Sequence, residues 1–250
     1  MEAIQSFFSS FSYAVRLVWD KKLFWYFIPS IFIAVIFYLL FSGGSWISEG
    51  ASFMEDWWLI GWILGAFKSL FAFIGFMLFE FILLVLFAPI TALLAERTRE
   101  EITGESIPFS VAIFMNAFKR MLVILTTAFL TQLLITVILW FLSFFLGDLF
   151  YTIASMINIA FFIGFSYFDF ALELDEISAK ESRKFGRKNW LACILIGLVF
   201  SAGIYIPQTF GLVILYIVTI SFLPNLLAIT ATKMYCTLKK KLSLLKKKRV

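Results

Sequence analysis

The chain has 250 residues, of which 62% are hydrophobic, 20% aromatic and only 15% charged, and its 21 Lys and Arg against 16 Asp and Glu give a net charge of +5. With a mean hydropathy of +0.97, it carries more apolar area than the surface of a soluble globule of this length could hold in water, so the composition excludes that class and places the chain in a bilayer. Histidine is absent, which removes His-based zinc sites, Ser-His-Asp and Cys-His nucleophiles, and the ordinary proton shuttle near neutral pH.

Residues 1–20 form the first predicted element. Ile4, Phe7, Phe8, Phe11, Val15 and Val18 recur at helical spacing with Gln5, Ser9, Ser12 and Arg16 opposite, the pattern of an amphipathic helix in the membrane interface. Residues 23–41 are apolar or aromatic apart from Pro29 and Ser30, and at ~1.5 Å per residue they just cross a ~30 Å hydrocarbon core. Pro29 is expected to kink this span near its start. Residues 57–88 would make ~48 Å of helix, too long for one perpendicular crossing. That element must tilt, kink or begin outside the core, with Trp57, Trp58 and Trp62 in a headgroup belt and Lys68 snorkelling outward. Glu80 falls ~12 Å inside its Ala88 end, where a carboxylate needs a partner, water or a proton.

Pro89 suits the first turn of a separate helix over 89–104, lying on the cytoplasmic surface with Ile90, Leu93 and Leu94 on one face and ended by Gly104. Residues 121–172 read as a helical hairpin, Met121–Leu146 and Phe150–Leu172, turning at Gly147-Asp148. Residues 178–189 read as a cytoplasmic helix opened by a Ser178/Glu181 capping box. Its Lys180, Arg183, Lys184, Arg187 and Lys188 share one helical face. A second hairpin covers 190–233, Trp190–Ile206 and Phe210–Lys233, turning around Pro207-Gln208. Either hairpin can cross fully or enter as a re-entrant wedge. Residues 234–250 are a polybasic tail suited to the membrane surface. Cys193 and Cys236 lie near cytoplasmic ends of apolar runs, so no disulfide is expected.

Every Lys and Arg except Lys68 falls in segments that this topology places on one side, while Glu49, Glu55, Asp56 and Asp148 occupy the other loops. By the positive-inside rule both termini are cytoplasmic. No Walker, zinc, EF-hand, Rossmann or nucleic-acid-binding pattern occurs, so the expectation is a non-enzyme with no cofactor, metal or nucleic-acid partner. The basic stripe, with Arg183, Lys184 and Arg187 at its centre, can hold lipid phosphates or gather a small anion at a pore mouth. Glu80 and Asp169 are the candidate ion-pathway carboxylates, each with a purely structural reading beside it.

Three stretches together resemble the CysZ-type sulfate permease family, which includes the eukaryotic etoposide-induced membrane proteins. They are Phe27-Ile28-Pro29; Ala88-Pro89-Ile90-Thr91-Ala92-Leu93-Leu94-Ala95-Glu96 with Ile102-Thr103-Gly104; and Tyr167-Phe168-Asp169-Phe170 with the basic stretch and hairpin that follow. Pro29, Pro89, Glu96, Gly104 and Asp169 are the motif positions. The resemblance implies an all-α multipass bundle with an N-terminal amphipathic helix, long spans and two helical hairpins that partly penetrate, assembled as a homo-oligomer in a bacterial inner membrane. It further implies a permease for a small inorganic anion, sulfate first, without an ATPase, and an anion site in the loop before the first span. There Lys21 and Lys22 precede Leu23 and Phe24, which stand where sulfate-handling members carry an arginine pair, and Ile90-Thr91-Ala92 stands where Phe-Asn-Gly is common. The alternative is a membrane-organising, lipid-interacting protein without transport.

Overall fold

The computed structural model describes residues 2–21, 23–42, 58–104 and 111–247. Among them every regular element is helical: α1 (Glu2–Asp20), a 3-10 turn (Leu23–Tyr26), α2 (Phe27–Ser42), α3 (Trp58–Thr103), α4 (Val111–Leu146), α5 (Asp148–Glu173), α6 (Ala179–Lys188), α7 (Trp190–Thr209) and α8 (Val213–Lys247). Among the described residues, five stretches are long and apolar enough to cross a membrane: Met77–Thr103, Leu122–Leu146, Asp148–Glu173, Trp190–Pro207 and Val213–Lys240. The chain is an all-α multipass membrane protein. Lys22, Glu49, Glu55, Asp56, Trp57, Lys248 and Arg249 lie outside the described residues, as do the side chains of Trp58, Trp62, Lys68 and Gln208.

Helix α8 is the central post, packed against α1, α2, α3, α5 and α7. Helix α1 is amphipathic as expected, but it docks as well as floats. Phe7, Ser10, Ala14, Leu17 and Val18 are buried, while Ile4, Phe8 and Trp19 remain exposed. The Lys233 ammonium lies 4.4 Å from the Tyr13 ring centroid and ties α1 to α8. Helix α4 is the most peripheral of the five candidate spans, with 28% of its apolar window buried against 44–56% for the others.

Four sequence expectations change. The span expected over 23–41 is α-helical only from Phe27, so Pro29 falls in the first turn, where a missing N–H costs no intrahelical bond. Pro29 therefore opens α2 and does not kink it. The break expected at Pro89 is absent, and α3 is one helix of 46 residues, roughly 69 Å long. Buried Phe87, Ala88, Leu94 and Ala95 clamp it on both sides of the proline, and the Thr91 hydroxyl donates to the Phe87 and Ala88 carbonyls at 3.1 Å each. The first hairpin's leading helix starts at Val111, ten residues earlier than expected. The second hairpin turns over 210–212, because α7 runs through Pro207 and Gly211 is the residue that takes the left-handed φ of 64°. The Leu212 N–H then closes onto the Pro207 carbonyl at 2.8 Å, the glycine-dependent helix stop. Gly104 (φ 73°) and Gly147 (φ 85°) also stand at positive φ where α3 and α4 end, Gly147 with an extended ψ of 168°. At the end of α5 the left-handed residue is Glu176 (φ 54°), and Ile177 N–H reaches the Leu172 carbonyl at 3.3 Å.

The tightest packing joins α5 to α7. A Cβ on Gly164 would lie 1.8 Å from the Cys193 carbonyl oxygen, and one on Gly197 would lie 1.8 Å from that of Ala160. Ala160-xxx-Gly164 and Cys193-xxx-Gly197 thus form paired small-residue ridges that let two backbones touch. At the end of the bundle where α3, α5 and α8 finish, Arg99, Asp175 and Lys239 meet. Gly147 and Gly211 lie at the opposite ends of α5 and α8.

Two outcomes follow. Gly197→Ala or Gly164→Ala forces the α5 and α7 backbones apart, at the upper end of the ~1–3 kcal/mol range for overpacking or beyond it; a thermal melt in detergent should show it, while Gly75→Ala, with nothing within 4 Å of its added Cβ, should not. Single cysteines at Gly104 and at Lys180 should react with an impermeant thiol reagent from the same face of a sealed vesicle. Reaction from opposite faces is incompatible with the Arg99–Asp175–Lys239 contact.

Candidate functional site

Glu80 lies on the inward stripe of α3. Met77, Leu83, Leu84 and Phe87 are buried with it, whereas Leu78, Ile82 and Leu86 face outward. The carboxylate is 2% exposed. Its Oε1 accepts a long hydrogen bond, 3.5 Å, from the Ser201 hydroxyl of α7, and its Oε2 has no hydrogen-bond partner. No ion pair among the described residues includes it. Tyr167 of α5 and Tyr205 of α7 lie within electrostatic reach of the carboxylate, and the Tyr167 hydroxyl is buried without a hydrogen bond.

Across from Glu80, α4 presents Gln132, 6% exposed, whose Nε2 has no acceptor. A cavity of about 20 Å³ lies between them, lined also by Ser166 and Met77. That is room for one water, with an acceptor at Glu80 and a donor at Gln132 to hold it. The polar seam continues away from Glu80: Asn158 Nδ2 donates to the Gln132 carbonyl at 3.3 Å and to Thr136 Oγ1 at 3.2 Å, and the Thr136 hydroxyl points at Met77 Sδ at 3.4 Å. Its chemistry is one ionisable carboxyl amid neutral donors and acceptors. Such a seam can hold a proton and a water, and it offers no fixed cation to an anion.

The cations lie at the end of the bundle. Ser178 caps α6, accepting from the Glu181 N–H at 3.4 Å, the N-cap half of the expected capping box, while the Glu181 carboxylate closes back onto the Ser178 hydroxyl, which donates to it at 3.0 Å. Ser182 and Gly186 face inward, and Lys180, Arg183, Lys184, Arg187 and Lys188 are all exposed. The Ser182 hydroxyl donates to Asp169, which is 2% exposed. Gly186 lies so close to the Phe165 ring that a Cβ would come within 2.6 Å. Asp169 thus anchors the basic helix, and no described interaction joins it to Glu80.

Of the two lysines expected to hold an anion, Lys21 pairs with Glu101 at 2.9 Å, and Lys22 is outside the described residues. That contact raises the Lys21 pKa, through the Glu101 hydrogen bond first and its charge second. Arg97 pairs with Glu100 at 2.7 Å and hydrogen-bonds Tyr26. The acids at the end of α3 therefore answer the positive charge of the first loop. Of the motif positions, Pro29 opens α2, Pro89 is inside α3, Glu96 is half-buried on the same helix, and Gly104 ends it.

Sequence reasoning missed Asp175, whose carboxylate accepts from Arg99 at 2.9 Å, from Lys239 at 2.6 Å and from the Tyr235 hydroxyl. Arg99 also donates to the Leu174 carbonyl. The four residues come from α3, the α5–α6 link and α8, so no local spacing announces them.

A family model described as sulfate transporter CysZ/etoposide-induced protein 2.4 matches residues 10–214, more than half of the chain. No curated protein matches the chain.

Burial alone would push the Asp175 carboxyl up, but hydrogen bonds from Lys239 and Tyr235 and the charge of Arg99 outweigh it and hold the group below the ordinary carboxylate range. A carboxyl depressed on folding contributes stability that is fully present above its unfolded value, about 3.9 for Asp, and is lost as pH falls through the folded one. Asp175→Asn should therefore cost about 2 kcal/mol at neutral pH. Denaturation of wild type and variant compared from pH 7 down to pH 3 should show the difference shrinking below about pH 4; a difference constant with pH would remove the ionic clamp from the account.

Proposed function

Because the chain belongs to the sulfate transporter CysZ/etoposide-induced protein 2.4 family, we propose that it is a permease for a small inorganic anion, sulfate first, working without an ATPase. The observation that supports transport is Glu80, an ionisable group 2% exposed inside an apolar bundle with one long hydrogen bond. A carboxyl so placed in a membrane helix is a functional candidate by default, because a structural role is filled more cheaply by a neutral side chain.

Drawing a dianion inward against an inside-negative potential costs ~2.3 kcal/mol per charge per 100 mV, hence ~4.6 kcal/mol for sulfate at that potential. Protons carried with the anion cancel that term. Glu80, the adjoining water-sized cavity and Gln132 are the residues we assign to proton holding. Arg183, Lys184 and Arg187, with Lys21 and Lys22, gather the anion at the basic end, where Lys21 must leave Glu101 to take part. With the basic end cytoplasmic, both termini are inside, and the exposed Phe141, Phe144, Phe145 and Leu146 at the far end of α4 suit a homo-oligomeric contact. Two observations favour the membrane-organising alternative: Lys21 is already paired, and among the described residues the seam around Glu80 holds no cation.

Purified protein in proteoliposomes should take up radiolabelled sulfate above empty vesicles, faster with an inward proton gradient, with chloride and phosphate as competitors. Glu80→Gln should remove the gradient dependence and slow uptake about tenfold or more, equivalent to ~1.4 kcal/mol of barrier. Absence of any anion flux from the folded wild type would overturn the permease reading in favour of the membrane-organising one.

A further inference from the structure

A groove of about 600 Å³ runs between α4, α5 and α6. Its walls are Ile124 and Ala128 of α4 and Phe161, Phe162 and Phe165 of α5. Thr127 and Thr131 also line it, but their hydroxyl protons are committed to the Val123 and Thr127 carbonyls at 2.7 Å each. The walls therefore offer a ligand apolar surface. One rim carries Lys180, Arg183 and Arg187, one to two turns apart on α6, all exposed and in no ion pair among the described residues. Lys184 and Lys188, on the same helix, do not line the groove. Beside it, Val123, Leu130 and Leu134 of α4 are exposed, so the groove opens onto an exposed apolar face.

We propose that this groove is a site for one anionic phospholipid, with its phosphate on Lys180, Arg183 and Arg187 and an acyl chain lying between α4 and α5. Charge complementarity and wall chemistry choose the occupant together. A free inorganic anion would satisfy the three cations and leave the apolar walls bare. A zwitterionic lipid would cover the walls and bring its own ammonium against the cations. An anionic phospholipid meets both, and arginine's planar fork suits a phosphate. The rim is built, since α6 is fastened by Ser182 to Asp169 and by Gly186 against Phe165. The inference does not require transport, because a protein that moves no anion could still hold this lipid; it does share Arg183 and Arg187 with the anion-gathering role proposed above, and a bound lipid would leave that role to Lys184 and the first-loop lysines.

The test is retention of phosphatidylglycerol by the full chain in detergent, measured by native mass spectrometry, with phosphatidylcholine alongside. Wild type should keep one phosphatidylglycerol per chain and no phosphatidylcholine at equal concentration. Arg183→Gln with Arg187→Gln should weaken retention roughly tenfold or more, while Lys184→Gln with Lys188→Gln, equal in charge removed, should change it less than about twofold. Thr131→Trp, which fills the groove from an exposed position, should expel the lipid with all cations intact. Millimolar inorganic phosphate should not displace it. Equal losses from the two charge pairs would reduce the effect to diffuse surface charge, and displacement by inorganic phosphate would make the groove a small-anion site; either result overturns the proposal. If Thr131→Trp fails to fold, the comparison of the two charge pairs still decides.

Discussion

At Gly164 and Gly197 two helices meet main chain to main chain, in a solvent that supplies no hydrophobic force to press them together. Dispersion at short range has to do it, and short range is available only where side chains are absent. The residues around Glu80 follow from this crossing. Ser166 and Tyr167 lie within one turn of Gly164, and Ser201 and Tyr205 lie one and two turns beyond Gly197. The crossing sets where Ser201 stands relative to Tyr167, and the packing of α3 on α5 then brings the Glu80 carboxylate to 3.5 Å from the Ser201 hydroxyl. A wider crossing would loosen the seam before it disturbed any apolar contact.

Polar ties then distribute the bundle's remaining specificity. Asn225 of α8 donates to Ser30 of α2 at 2.7 Å, both residues fully buried, and Asp175 gathers α3 and α8 at the charged end. Each joins elements remote in sequence and sets a rotation that apolar packing alone leaves degenerate. Helix α6 is positioned in the same way: Asp169 holds Ser182, and with it the helix that carries five exposed cations.

The element types were legible in the chain because apolar length and charge spacing are local quantities. The capping box at Ser178, the turn at Gly147, the stop at Gly104 and the basic face of α6 each depend on residues a few positions apart. The errors have an equally physical origin. Proline was read as a boundary at residues 89 and 207, yet packing on both sides carries α3 through Pro89, α7 runs on through Pro207 to Thr209, and the turn waits for the residue that can take positive φ, Gly211. Depth marked Glu80 out, but its neighbours come from three other helices. The Lys21–Glu101 and Arg99–Asp175 pairs bridge segments too distant for any periodicity to link. The groove beside α6 required the walls of α4 and α5 as well as the cations that the sequence displays.

The two hairpin tips bear on how the chain gets into a membrane at all. Phe145, Leu149, Phe210 and Ile214 are among the most exposed apolar residues, and between Lys188 and Lys233 the sequence contains no charged residue. The second hairpin can therefore enter as a unit, its tip carrying no charge across the core. The first tip carries Asp148 alone, a cost of ~3 kcal/mol at mid-depth, set against the 18 apolar residues of 149–172 that follow it. Lys188 and Lys233 are the first charges on either side of that uncharged stretch, so a hairpin that entered as a unit would be bounded by a positive charge at each end.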